Sequence, residues 1–256
     1  NNEVVDIPQS RAINFSNAFV NNTTRADVTN ADFKQFWVYG DYQNDALWVD
    51  VFNNVKVSGA SVGSSATWTP EETAYWQVNK TYNFGAYADG TSQLTTGILY
   101  EPASKTLTFS DYSAGANDLI AATSSDVSWD GSVDPAKVQL SFKHMLSKVK
   151  FTFKTDAVET YTMKVSGLKI SQAIQTATGT MVNNVVGTWS GDKTGEYSFA
   201  DIDDYATAEG QAESEVKYVI PQGNTNSIAV SFKVTVTDGG GYNKEGSFTG
   251  TMTIAE

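Results

Sequence analysis

Apolar and polar residues alternate with a period of two along most of this chain, and a 3.6-residue period is almost nowhere sustained. Ala12-Ile13-Asn14-Phe15-Ser16-Asn17-Ala18-Phe19-Val20 alternates in this way and predicts an N-terminal strand. Phe36-Trp37-Val38-Tyr39-Gly40 reads as a strand ending at a turn. Residues 48–52 and 55–57 flank Asn53-Asn54, a pattern expected of a hairpin. Residues 75–78 and 81–87 flank Asn79-Lys80 in the same manner. A further short strand is expected at 107–109. Asp118-Leu119-Ile120-Ala121-Ala122 fits a buried strand or one helical turn, and residues 30–35 form a short helix candidate.

The middle of the chain carries a long strand-like run from Lys137 to Lys154. Val138, Leu140 and Phe142 alternate, Met145 and Leu146 break the phase, and Val149, Phe151 and Phe153 resume it. A phase break inside one run marks a bulge or a crossover between domains. The division is therefore expected near His144, giving one domain over 1–144 and a second over 145–256. Downstream, residues 161–165, 168–170, 176–182 and 216–220 read as strands, the last stopped by Pro221. Residues 228–236 give the strongest strand pattern, and Asp238-Gly239-Gly240-Gly241 turns it into a return strand over 246–254. Many short strands separated by turn signals predict an all-β chain of two sandwiches. A length of 256 residues accommodates two such domains.

Composition narrows the partners. A formal net charge of −12 opposes binding to nucleic acid or to an anionic membrane surface. Cysteine is absent, which removes disulfides, thiol nucleophiles and thiolate metal sites. No apolar run approaches the roughly 20 residues of a membrane span, and no signal peptide is visible. The opening Asn1-Asn2-Glu3 reads as the start of a mature or trimmed product.

Catalytic chemistry finds little support. The single histidine, His144, has no cysteine or second histidine to join it in a zinc site or triad, so it reads as structural. Glu71-Glu72 and Asp201, Asp203 and Asp204 are possible carboxylate pairs, but all lie in polar, loop-like stretches and read as solvated surface. Asp201-Ile202-Asp203-Asp204 also lacks the ligand spacing of a calcium loop. No enzyme activity and no cofactor are expected. Trp68, Tyr75 and Trp76 cluster near Pro70. They would suit sugar stacking if exposed, or would fill a sandwich core if not.

Arg11 and Arg25 are the only arginines, and each is followed by alanine. They bracket the N-terminal strand, so an arginine-specific protease could detach it and would find no such site downstream. Cutting after Arg25 frees the whole strand, whereas cutting after Arg11 leaves it in place.

Several of these segments, in this order, resemble the fimbrillin family of Bacteroidales, the major and accessory subunits of protease-assembled pili. Ile13-Asn14-Phe15 followed by Thr24-Arg25-Ala26 resembles that family's strand and processing site. Residues 36–40 resemble its first strand after the cut. Tyr75-Trp76 with residues 82–88, and Asp118-Leu119-Ile120-Ala121-Ala122, resemble two further family segments. Residues 138–151, carrying Leu140, Phe142, His144 and Leu146-Ser147-Lys148-Val149, are the most specific match.

The resemblance implies two transthyretin-like Greek-key β-sandwich domains in tandem, export as a lipoprotein, and a place in a fimbrium attached to the outer membrane. It implies a surface protease that cuts between Arg25 and Ala26. The strand carrying Ile13, Phe15 and Phe19 would leave, and a strand of the next subunit would fill the groove. Partners would then be other pilus subunits, the protease, and a host or bacterial surface receptor. One departure concerns the C-terminus, where family members commonly carry a further aromatic-bearing donor strand. Here the chain stops at Ile254-Ala255-Glu256. Either it is truncated, or the strand holding Phe248, Met252 and Ile254 is the donor or edge strand, or the protein is a tip or accessory subunit. Sugar binding at the cell surface is the alternative function.

Overall fold

The computed structural model describes residues 11–20, 33–59, 67–154, 161–206, 211–223 and 227–254. No α-helix occurs among them. The strands are β1 (Phe15–Val20), β2 (Gln35–Asn44), β3 (Leu47–Ser58), β4 (Thr69–Pro70), β5 (Thr81–Asp89), β6 (Ile98–Glu101), β7 (Thr106–Ser113), β8 (Leu119–Ser128) and β9 (Val138–His144). They continue as β10 (Ser147–Val149), β11 (Thr152–Lys154), β12 (Thr162–Ala173), β13 (Thr176–Val182), β14 (Val185–Val186), β15 (Gly195–Ser198) and β16 (Ile202–Ala206). The last four are β17 (Gln211–Glu213), β18 (Lys217–Val219), β19 (Ile228–Thr237) and β20 (Asn243–Met252). The ambiguous segment at 119–122 is thus the start of β8. The described part of the 30–35 helix candidate contains no helix, and Gln35 already belongs to β2.

The chain divides into two compact units, but not as two consecutive halves. The first takes residues 1–110, 118–145 and 179–188, and the second takes 111–117, 146–178 and 189–256. Relative to a single split at 144/145, residues 111–117, Met145 and residues 179–188 change sides. Local strand patterning could not reveal this, because each exchanged segment is an ordinary stretch of strand or turn.

In the first unit a seven-stranded sheet runs in the order β1-β9-β8-β5-β2-β3-β4. Its neighbours are antiparallel except β1 and β9, which are parallel. Tyr82, Phe84, Ala86 and Ala88 of β5 enter one core, with Phe36, Val38, Phe52, Val138, Leu140 and Phe142. The alternate residues of β5 face the second sheet, ordered β14-β13-β7-β6. There the Tyr87 ring meets Phe109 edge-on at 6.1 Å, and Asn83 donates to the Pro102 carbonyl at 2.8 Å. Eight consecutive residues of β5, Tyr82–Asp89, are therefore buried, because both faces are covered.

Gly85 is a requirement of that second contact. A Cβ there would lie 2.5 Å from the Tyr100 ring. Gly85→Ala is expected to destabilise the protein by about 1–3 kcal/mol, the usual cost of overpacking, measured by urea denaturation.

The hairpin expected at Asn53-Asn54 is instead a bulge. β3 runs unbroken through it, Asn54 has φ 58°, and the register slips from Val38↔Val55 to Gly40↔Phe52. The β2–β3 turn lies at Asp45, φ 55°. Asparagine and aspartate tolerate the left-handed region, so either site satisfied the same sequence signal. His144 ends β9 with Nδ1 2.9 Å from the buried Asp118 carboxylate, a structural pairing at the phase break.

In the second unit β12 is central. β19 lines one of its edges, β15 and β16 line the other, and β20 pairs only with β19. Val165, Leu168, Ile170, Tyr197, Ile220 and Ile228 are buried there. The Tyr197 hydroxyl donates to the Ile174 carbonyl at 2.8 Å, and the Gln222 amide both donates to that carbonyl at 2.8 Å and accepts from the Ile174 amide at 2.7 Å.

Candidate functional site

The N-terminal strand is held by backbone bonds on both edges. Toward residues 68–76, Ile13 donates to the Ala74 carbonyl at 2.8 Å and Phe15 donates to the Trp68 carbonyl at 3.0 Å. Trp68 returns a bond to the Phe15 carbonyl at 2.9 Å, and Trp76 donates to the Arg11 carbonyl at 3.0 Å. On the opposite edge Val138 donates to the Asn14 carbonyl at 2.8 Å. β1 then follows β9 in parallel, from Phe15↔Val138 to Val20↔Phe142, with a bulge between Ser16 and Phe19.

Side-chain packing follows the alternation. Ile13 and Phe15 are 1% and 0% exposed. The Phe15 ring meets Phe36 at 5.8 Å and Phe84 at 5.8 Å, both edge-on, and Phe52 at 6.0 Å. It therefore sits in the middle of the first unit's aromatic core. Beside it, an open surface pocket of about 270 Å³ is lined by Ile13, Asn14, Thr67, Thr69, Pro70 and Tyr75.

The pairing partners of this strand are all distant in sequence. A parallel neighbour cannot be joined by a tight hairpin. β9 begins 118 residues after β1 ends (138 − 20), and Trp68 lies 53 residues after Phe15 (68 − 15). Its partners thus hold the strand by noncovalent contacts, with the chain continuing only through residues 21–32. Arg25 and Ala26 fall in that stretch, outside the described residues, and Phe19 is described through its backbone pairing alone. Arg11 is exposed, with its guanidinium over the Trp129 ring at 5.6 Å. A cation–π contact gives it a packing role that its sequence position did not suggest.

The aromatic trio does not form a sugar platform. Trp68 is 0% exposed, with its ring 5.1 Å from Phe33 and 5.6 Å from Phe36, and Trp76 is 5% exposed, 4.6 Å from Tyr82. A stacked sugar needs an open ring face, which these two lack. Tyr75, 37% exposed, is the one member that reaches solvent. The trio belongs to the wall that receives β1.

Glu71, Glu72, Asp201 and Asp203, considered for catalysis, lie on open surface. Glu71 pairs with Lys56 at 3.2 Å, and Glu72 is exposed. Asp201 and Asp203 share Lys164 at 3.3 and 2.7 Å, and Asp201 also accepts from the Gly167 amide. The side chain of Asp204 is outside the description.

At the C-terminal end, β19 and β20 form a ten-pair ladder from Ile228↔Met252 to Thr237↔Asn243. β20 stands at the sheet edge with most residues exposed on both faces. Phe248 is 49% exposed and stacks on Phe232 at 5.2 Å, Met252 is half-buried, and Ile254 is 6% exposed.

One electrostatic feature is a like-charge pair. Asp41 and Asp50 are cross-strand partners on β2 and β3. Burial first, and Asp50 second, push the Asp41 carboxyl up to about 6. Its folded value lies above the ordinary carboxyl value of 3.8, so protonation favours the folded state. That contribution is complete below about 3.8 and is lost as pH rises through about 6. Asp41→Asn should therefore stabilise the protein at pH 7.5, by about 1 kcal/mol after allowance for solvent screening, and give no gain near pH 3.5. Urea midpoints at the two pH values check this.

A family model described as Fimbrillin-like matches residues 24–255. No curated protein matches the sequence. Among solved structures, a protein from Bacteroides ovatus ATCC 8483 described as a "putative adhesin" matches at 9% identity, over 95% of this chain and 84% of that one, with a TM-score of 0.35.

Proposed function

The chain belongs to the fimbrillin-like family, and from that premise we propose that it is a structural subunit or tip adhesin of a cell-surface pilus, assembled by strand exchange. On this reading it is exported as a lipoprotein, and its two compact units are the family's transthyretin-like sandwiches. An arginine-specific surface protease cuts after Arg25, β1 departs, and a strand of another subunit takes its place between β9 and residues 68–76. The observation that carries the reading is the setting of β1: bonded along both edges, centred on the fully buried Phe15, and in no hairpin among the described residues.

The energetics favour exchange over loss. Vacating the slot exposes apolar core and two unpaired backbone edges, and a donated strand restores both. Because donor and acceptor are different surfaces, the contact propagates into a filament. β20, with Phe248 and Met252 accessible at a sheet edge, is the segment best placed to be given away, and Ile254 would leave its buried position with it. No catalysis is assigned.

Incubation of the folded protein with an arginine-specific protease tests this. Cleavage after Arg25, followed by growth of polymers seen by size-exclusion chromatography and electron microscopy, is expected. An Arg25→Ala variant should stay monomeric under the same treatment. Cutting that leaves only monomers, or polymers formed equally by the Arg25→Ala variant, would defeat the proposal.

A further inference from the structure

A second feature lies wholly within the second unit and is independent of β1. An open groove of about 510 Å³ is lined by Asp111, Gln175, Thr176, Thr178, Asp192 and Thr194, with Ala177, Ser190 and two glycines completing it. Its volume falls within the roughly 300–1,000 Å³ of small-molecule sites.

The walls are set in place rather than loose. Residue 174, just before the groove, is fixed through both its amide and its carbonyl by the Tyr197–Gln222 network. Ala114 donates to the Gln175 carbonyl at 3.0 Å. Thr178 and Ser190 exchange two backbone bonds of 2.9 Å, which tie the 189–195 loop to β13. That loop lies so close that a Cβ on Gly191 would be 2.6 Å from the Thr176 carbonyl oxygen, and one on Gly195 would be 2.4 Å from the Gln175 Cβ. Asp111 enters from β7 with φ 51°, and it and Ser110 are consecutive exposed residues where the strand's alternation breaks. A kink of this kind re-aims a side chain.

The lining selects the ligand. The carboxylates of Asp111 and Asp192 are acceptors, Gln175 donates and accepts, and the Thr and Ser hydroxyls do both. No Lys, Arg or His lines the groove, so phosphate, sulfate and carboxylate ligands find no counter-charge. Ala177 is its one large enough apolar contributor, so an apolar ligand gains little burial. What remains is a neutral molecule dense in hydroxyl groups. Its O–H donors meet the two carboxylates, and its oxygens meet the hydroxyl and amide donors. We propose that this groove is a binding site for a neutral hexose-based oligosaccharide, held by Asp111, Gln175 and Asp192 and by the Thr and Ser hydroxyls between them.

Saturation-transfer NMR on the full chain, with lactose, maltotriose, mannotriose and chitotriose as probes, tests it. At least one sugar should receive saturation and shift the backbone amide resonances of Gln175 and Asp192. Asp192→Ala and Gln175→Ala, at groove positions where folding is read by an unchanged melting temperature, should each weaken binding at least tenfold. If no sugar of the set binds, or binding survives both substitutions, the proposal is wrong. It is equally overturned if the groove resonances respond only to calcium or only to a lysine-rich peptide, the two cationic ligands its carboxylates would otherwise hold.

Discussion

Protein lacking residues 1–25 is expected to be less stable than the full chain by at least about 3–6 kcal/mol. Ile13 and Phe15 leave a core in which they are 1% and 0% exposed, and each such side chain is worth about 1.5–3 kcal/mol. The backbone loss adds to this. Trp68, Trp76 and Val138 each lose the carbonyl that accepts their amide, and the carbonyls of Trp68 and Ala74 lose their donors. A domain is stable by only about 5–15 kcal/mol in total. The truncated first unit should therefore sit close to unfolding, expose apolar surface and bind a hydrophobic dye. Urea denaturation of the two forms measures the difference, and a truncated protein with an unchanged midpoint would show that β1 is a dispensable flank.

Phe15→Ala in the intact chain separates the side chain from the backbone. Every bond of the strand can persist in that variant, but the ring that meets Phe36, Phe52 and Phe84 is gone. The surrounding rings belong to strands fixed by long ladders, so the hole cannot close easily. A loss of about 3–5 kcal/mol is expected, at the level of large aromatic truncations. Denaturation measured beside Asn14→Ala, whose side chain makes only a long local contact with the Ala12 carbonyl, checks the assignment. If both substitutions cost the same, the ring is not the anchor.

Much of the first unit was legible because alternation and burial coincide. Val138, Leu140 and Phe142 alternate in the sequence and all three point into the core. Ile13 and Phe15 were readable for the same reason. What alternation cannot report is pairing at a distance. Nothing in residues 12–20 says that their neighbours are β9, in parallel, and the segment around Trp68. β5 shows the same limit: Tyr82 and Phe84 gave one face, but the burial of the other comes from Tyr100 and Phe109, which no local pattern links to it. Trp68 and Trp76 were ambiguous because large aromatics serve cores and sugar platforms alike. Only the position of β1 and Phe33 decides which. The groove of the second unit left no motif, since Thr, Ser, Asp and Gly are also the ordinary residues of turns.

The central claim is that the first unit holds a slot which a separate strand can fill. Titrating protein that lacks residues 1–25 with a synthetic peptide of residues 11–20, followed by isothermal calorimetry and thermal melting, measures it directly. Saturable binding that restores most of the lost stability is expected, and the Phe15→Ala peptide should bind about a hundredfold more weakly, the equivalent of roughly 3 kcal/mol. A truncated protein that folds normally and ignores the peptide, or that binds both peptides alike, would contradict the account.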